Sequence, residues 1–240
     1  MTQEKTKVDY SKTISRPLTS NPHRDTPDYL DRLYEHYLPH FPENKDAKIL
    51  DMGCGGGLFL KFCLNHGYTN ISGLDSDPSL VADIQSWIDV DVITQDFLVH
   101  LDQSEDEYDA IFMNNVIEHI KKDDLLVMLG KIKRALKPGG VFMATTGNIE
   151  NPMNLGLFLR DFTHEIGFTL NSLRQVGLLA GFDEDKVQAL EKELRFGNPL
   201  TQKKHDLECA VAEKRLKRMM RAMKMRIDSM AKFIFCVYQN

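Results

Sequence analysis

Apolar residues along this chain change their spacing several times, and each change marks an element. Between Asp28 and Leu38 they fall at Leu30, Leu33, Tyr34, Tyr37 and Leu38, the spacing of an amphipathic helix, which Pro39 and Pro42 end. From Ala47 short apolar runs alternate with helical patterns. The runs predict strands near 47–52, 70–75, 91–95, 108–114 and 140–145, and the patterns predict helices near 57–66, 78–88, 122–136 and 171–180. Strands separated by helices pair in parallel and are covered on both faces, so the expected fold class is α/β. Such sheets bind ligands at the carboxyl ends of their strands, where strand order reverses.

Two regions depart from this rhythm. Residues 1 to about 25 are polar and carry Pro17 and Pro22, which predicts an irregular segment able to act as a flap. Residues 183–231 are charged and read as largely helical, with a long helix at roughly 205–231. Its Leu216, Met219, Met220, Met223, Ile227 and Met230 fall on one face, and Lys214, Arg215, Lys217, Arg218, Arg221, Lys224 and Arg226 cover much of the rest. The plain reading is a solvated amphipathic helix packed on the domain; the alternative is a surface for a partner or an anionic substrate. The run Phe233-Ile234-Phe235-Cys236-Val237-Tyr238 then reads as the last strand.

At 240 residues the chain accommodates one α/β domain with decorations. A net charge of −5 weighs against a general nucleic-acid binder, whose affinity rests on neutralising phosphates. No apolar run approaches the roughly 20 residues of a membrane helix. The polar Met1-Thr2-Gln3-Glu4-Lys5 lacks a secretory core, so a cytoplasmic location without membrane attachment is expected. The cysteines (Cys54, Cys63, Cys209, Cys236) form no C-x-x-C pair and read as free thiols of a reducing compartment.

The stretch that carries chemistry is Asp51-Met52-Gly53-Cys54-Gly55-Gly56-Gly57, between the apolar run Lys48-Ile49-Leu50 and the helical Leu58-Phe59-Leu60. Glycines let the backbone turn sharply and let a ligand approach with no Cβ in the way, and the helix start offers unpaired N–H groups. A dinucleotide site would require G-x-G-x-x-G, but the third position falls on Leu58 or Leu60 in either register. The pattern present is D-x-G-x-G-x-G. Further down come Ile71-Ser72-Gly73-Leu74-Asp75, Ile93-Thr94-Gln95-Asp96-Phe97, Tyr108 to Asn115 and Leu136-Lys137-Pro138-Gly139-Gly140 before Val141. In this ordered set, covering about residues 45–146, the chain resembles the class I S-adenosylmethionine (SAM)-dependent methyltransferases.

The resemblance implies a Rossmann-like, seven-stranded, mostly parallel sheet with its last strand antiparallel and a helical insertion before that strand. It implies one methyltransferase domain over 1–240: an N-terminal flap and helix (1–44), a SAM-binding core (45–146), and an acceptor lid, insertion and last strand (147–240). The cofactor residues it implies are Asp51, Gly53, Cys54, Gly55 and Gly57 at the loop. Asp75 with Ser76 would serve the ribose, Asp96 and Phe97 the adenine, and Asn114 the methionine part. Arg24 could pair the cofactor carboxylate. Other roles stay open for the acids: Asp77-Pro78 suits a helix start with Asp77 as its cap, and Asp96 could be a capping loop residue.

Methyl transfer is an in-line displacement at a sulfonium, and a base is needed only where the acceptor must lose a proton. Two segments could supply it. Asn115-Val116-Ile117-Glu118-His119 resembles the E-x-x-E-H of quinone-pathway O-methyltransferases and small-RNA 2′-O-methyltransferases, whose acids and histidines can bind a divalent metal. Here Asn115 replaces the first Glu, which weakens a hard-cation site, and no metal is expected. The stretch Asp161-Phe162-Thr163-His164-Glu165 through Phe168-Thr169 resembles methyltransferases of bacterial surface-polysaccharide pathways. His164 is the candidate base, with His119 and Glu118 beside it, and Asp161 a residue that could orient it. The opposing reading is that His164 and Asp161 tie the loop down and cap the helix near Ser172.

The expected function is therefore methyl transfer from SAM, leaving S-adenosylhomocysteine, to a small polar acceptor, a sugar or nucleotide-sugar hydroxyl, by a monomer or homodimer. The alternatives are N-methylation of an amino-acid-like or amino-sugar acceptor, O-methylation of a quinone precursor and, in a different class, a non-catalytic SAM-binding partner protein.

Overall fold

The structure is a computed structural model, which describes residues 26–193, 195–222 and 229–240. Seven strands form one sheet: β1 (Ile49–Met52), β2 (Ile71–Asp75), β3 (Asp91–Thr94), β4 (Tyr108–Asn114), β5 (Leu136–Gly147), β6 (Val187–Lys192) and β7 (Phe233–Gln239). Their order is β3-β2-β1-β4-β5-β7-β6. β1 to β5 pair in parallel, and β7 inserts antiparallel between β5 and β6. Strand order reverses between β1 and β4, so the ligand-binding end lies above those strands.

The helices are α1 (Pro27–Tyr34), α2 (Leu58–Asn65), α3 (Pro78–Gln85), α4 (Phe97–Asp102), α5 (Lys122–Ala135), α6 (Pro152–Arg160), α7 (Leu170–Leu179) and α8 (Pro199–Ala222). Two cores follow from the alternation of side chains along each strand. On one face Leu50, Met113, Phe142 and Tyr238 pack with Met128 and Ile132 of α5 and Leu173 of α7. On the other Ile49, Phe112, Met143 and Phe235 pack with Tyr34 of α1, Phe59 and Phe62 of α2 and Ile84 of α3. Asp77 caps α3, accepting from Ser79 N at 2.8 Å, with Pro78 first in the helix as expected.

Residues 183–231 are helical over Pro199–Ala222 but not throughout. Val187–Lys192 is a strand, and its mixed Gln188, Glu191 and Lys192 hid it. An edge strand leaves half its residues in water, and the ladder to β7 overrides what its polar residues suggest. The long helix is also displaced. It starts at Pro199, where the Asn198 side chain accepts from Leu200 N at 2.8 Å, and the chain is non-helical by 229–232. Asn148, Asn151 and Asn154 explain the stop, donating to the backbone carbonyls of Ser229 and Ala231, of Met230 and of Lys232. Leu216 is half-buried, but Leu200, Leu207, Val211 and Met219 are exposed, so packing of α8 on the domain is partial. Met223, Lys224, Arg226 and Ile227 lie outside the described residues.

The segment Leu136-Lys137-Pro138-Gly139-Gly140 likewise is not a turn ahead of the strand but the irregular start of β5. Leu136 pairs Tyr108, Val141 pairs Ala110, and the register slips between them. Gly140 suits this slip, since a Cβ there would lie 2.9 Å from the carbonyl oxygens of Lys137 and Tyr108.

Candidate active site

The glycine loop leaves β1 in a backbone shape that side chains resist. Gly53, Gly55 and Gly57 have φ of +73°, +51° and +75°. Gly53 N and Cys54 N donate to Leu74 O at 2.7 and 3.1 Å, which ties the loop to β2. A Cβ on Gly53 would lie 2.6 Å from Val116, whereas one on Gly55 would meet only a carbonyl at 3.9 Å and so project into open space. Asp75, at the end of β2, accepts from Gly55 N at 3.0 Å and from Asp77 N at 2.9 Å, with Ser76 exposed between them. Burial raises its carboxyl above the usual range, and those amide bonds only partly offset it. Below the loop Asp51 is fully buried with one oxygen that has no partner among the described residues. Burial, then the nearby Asp75, pushes Asp51 well above the usual carboxylate range.

Further along the same edge, Asp96 caps α4, accepting from Leu98 N at 2.9 Å, so the capping role holds for it whatever else it does. Phe97 is half-buried beside it. Asn114 ends β4 opposite Thr145 of β5, and Asn114 Oδ1 and Thr145 Oγ1 are buried without partners among the described residues. With Asp51 Oδ1 they give three unsatisfied acceptors around the strand ends, and such groups are costly unless a ligand or water meets them. Sequence reasoning missed Thr145; a hydroxyl ending a buried strand was the available signal. Arg24 lies outside the described residues.

The second constellation joins segments far apart in sequence. After Asn115, itself at φ +52°, the short turn Ile117–His119 presents Glu118 and His119. The loop after α6 closes on this turn, with Glu165 N and Ile166 N donating to Glu118 O at 2.8 and 3.1 Å. His119 Nδ1 lies 2.9 Å from Thr163 Oγ1, and that hydroxyl donates to Asp161 Oδ1 at 2.6 Å. His164 Nδ1 lies 2.8 Å from Phe158 O. A carbonyl only accepts, so Nδ1 carries the proton and neutral His164 keeps its lone pair on Nε2. Nε2 is 3.9 Å from Asp161 Oδ2, a loose contact. The His119 and His164 rings are 4.6 Å apart, and Phe158 stacks on His164.

Sequence therefore identified Glu118, His119, Asp161 and His164, and the fold brings them together. It missed Thr163, which bridges Asp161 to His119, and Phe158, which sets the His164 tautomer; the Asp-x-Thr turn was the signal for Thr163. The helix near Ser172 is capped by Thr169, so Asp161 and His164 do not cap it.

The electrostatics suit proton transfer. Burial, then the neighbouring His164, lowers His119 and keeps it neutral. Burial raises Glu118 to about 7. Burial opposes ionisation of Asp161, but the Thr163 hydroxyl and amide and the two histidines outweigh it and hold the group low. Donor atoms of Glu118, His119 and His164 lie within 4.8 Å of one another, so the set could also hold a divalent ion.

A parallel sheet that reverses over a glycine loop, with acids at successive strand ends, defines a class I methyltransferase fold. Residues 23–187 match the model of the methyltransferase domain family, and the chain belongs to that family. S-adenosylmethionine is the methyl donor that goes with this family and fold. A ubiquinone biosynthesis O-methyltransferase of Erwinia tasmaniensis is 31% identical over 129 residues, 51% of this chain and 50% of its own length. EEF1A lysine methyltransferase 2 of Mus musculus is 32% identical over 146 residues, 54% of this chain and 56% of its own. The chain thus spans about half the length of the curated relatives it matches. A solved SAM-dependent methyltransferase from Archaeoglobus fulgidus shares the fold, with a TM-score of 0.67 and 18% identity over 90% of this chain and 95% of its own. Among the described residues no helix is long and apolar enough to cross a membrane.

Proposed function

We propose that this chain, acting as one methyltransferase domain, transfers the methyl group of SAM to a hydroxyl of a small polar acceptor. One observation carries the reading: Glu118, His119 and His164 converge at the edge where the unsatisfied Asp51, Asn114 and Thr145 atoms also lie. The acceptor oxygen attacks the methyl carbon, the S–CH₃ bond breaks to leave S-adenosylhomocysteine, and the hydroxyl proton passes to His164 Nε2. Donor atoms of Glu118 and His119 lie within 4.8 Å of one on His164.

For the cofactor, the open space above Gly55 and the loop of Gly53, Cys54 and Gly57 offer a cradle that a Cβ at position 55 would fill. The buried, partnerless Asp51 oxygen next to another acid suits a cationic group such as the cofactor's ammonium or sulfonium. Asp75 with Ser76 would take the ribose hydroxyls, Asp96 and Phe97 the adenine, Asn114 the methionine part and Arg24 its carboxylate. The reading uses no metal: the Glu118 carboxyl is half protonated near neutral pH, and Asn115 adds no charge.

The first acceptor reading is a sugar or nucleotide-sugar hydroxyl of surface-polysaccharide synthesis, supported by the Asp161–Glu165 stretch and by a pocket equipped with a base. The second is the hydroxyl of a quinone precursor, favoured by the name of the Erwinia relative. An amine already neutral at working pH needs no such base, which weighs against N-methylation. The test is mass-spectrometric detection of methylated product and S-adenosylhomocysteine with panels of nucleotide sugars and of catechol-type phenols. Cofactor binding without methyl transfer to either panel would favour the non-catalytic alternative.

A further inference from the structure

Lys192, the last residue of β6, is a buried ammonium that pairs with no acid among the described residues. It is 8% exposed, and its Nζ lies 5.9 Å from the Tyr34 ring centre and 5.8 Å from that of Phe233. Lysines are almost never so buried unless paired. Glu35, next to His36, binds Arg195, and the chain neighbours Glu191 and Glu193 are exposed and make no ion pair with Lys192 among the described residues. His36, which feels the Lys192 charge, is a potential cation with its own Nε2 buried and without a partner among the described residues. Nothing in the described chain balances the charge.

Its position matters more than its burial. Lys192 pairs in register with Phe233, Phe235 pairs with Thr145, and Thr145 pairs with Asn114. Register partners, and residues two apart on a strand, share a face, so Lys192 stands on the same face and edge as the unsatisfied Thr145 and Asn114. Two strand spacings separate it from β5, about 10 Å. An acceptor lying over the ends of β4 and β5 could reach it.

We propose that Lys192 is the anion subsite of the acceptor pocket, so that the acceptor carries a phosphate or carboxylate about 10 Å from the β5 end of the site. The inference rests on the methyltransferase reading and sharpens it: an oxyanion at that distance suits a nucleotide-sugar acceptor and not an uncharged quinone precursor. Burial, which lowers the Lys192 ammonium to about 8, is the cost that an arriving anion would offset.

The test uses the full chain saturated with S-adenosylhomocysteine and titrated with inorganic pyrophosphate by calorimetry. The wild type should bind pyrophosphate saturably at millimolar concentration. Lys192→Met, which keeps the volume and removes the charge, should bind it at least about tenfold more weakly with S-adenosylhomocysteine affinity unchanged. Equal binding by both proteins, or none by the wild type, overturns the subsite. Failure of S-adenosylhomocysteine to bind the wild type would instead overturn the methyltransferase reading. A measurement free of any variant is the acylation rate of Lys192 followed by mass spectrometry: pyrophosphate should slow it, and an unchanged rate counts against the subsite.

Discussion

The two halves of the site are built by different means. On the β1–β2 side the glycine loop and Asp75 lie about one strand–helix unit apart, and backbone N–H groups hold them: Gly55 N and Asp77 N both donate to Asp75. On the β4–β5 side the proposed catalytic groups come from segments 44 residues apart, joined by side chains, as in the contact of His119 with Thr163. The first half is held by local backbone bonds, from Gly53 N and Cys54 N to Leu74 O and from Gly55 N to Asp75, in a shape whose positive φ at three positions glycine tolerates. The second depends on the loop after α6 docking on the Glu118 carbonyl. Loops that carry chemistry on a rigid scaffold are where acceptor preference can change while the cofactor half stays constant.

The largest expected effect breaks the acceptor half alone. His164→Ala should lower kcat by about 10²–10⁴-fold, the contribution of a general base, with SAM affinity nearly unchanged. If turnover persists in both His164→Ala and His164→Asn, the residue is structural and the base must be His119, Glu118 or none. The converse break lies in the cofactor half. Asp75→Ala should weaken S-adenosylhomocysteine by about 1–3 kcal/mol, as ribose hydroxyls lose their acceptor; unchanged affinity by calorimetry with an intact fold would remove Asp75 from the ribose role. Gly55→Val should abolish most of the thermal stabilisation by the same ligand, because its side chain enters the open space above the loop. Equal shifts for both proteins would contradict that assignment.

A smaller effect separates the halves by pH. Glu118 holds its proton more tightly in the folded chain, at about 7 against an ordinary 4.5. Its contribution to stability is therefore fully present below the ordinary value and is lost as pH rises through about 7. Glu118→Gln cannot ionise, so its Tm advantage over wild type should grow between acid and mildly alkaline buffer; a constant difference would show that the carboxyl is not held in a dry site. The smallest effect expected is none: with an acceptor in hand, activity should survive EDTA. Loss on chelation, restored by Mg²⁺ or Mn²⁺, would turn Glu118, His119 and His164 into metal ligands.

Much of this was legible in the sequence alone. Apolar runs and glycine placement located β1 to β5 and β7, and Asp77-Pro78 announced its helix start. β6 escaped because an edge strand with Gln188, Glu191 and Lys192 carries no clean alternation. α4 escaped because six residues, Phe97 to Asp102, are too few to establish a helical period.

What the chain determined by itself is whatever backbone shape and short-range periodicity enforce: the strand–loop–helix at Asp51 to Leu58, the acid at the end of β2 and the parallel sheet. What only the tertiary structure decided is which distant side chains meet. Thr163 between Asp161 and His119, Phe158 on His164 and an unpaired Lys192 on the same sheet face as Thr145 all arise from docking and register. The physical reason is one of range: the freedom to take positive φ is a property of one residue, whereas a contact across 44 residues exists only once the core has set where both segments lie.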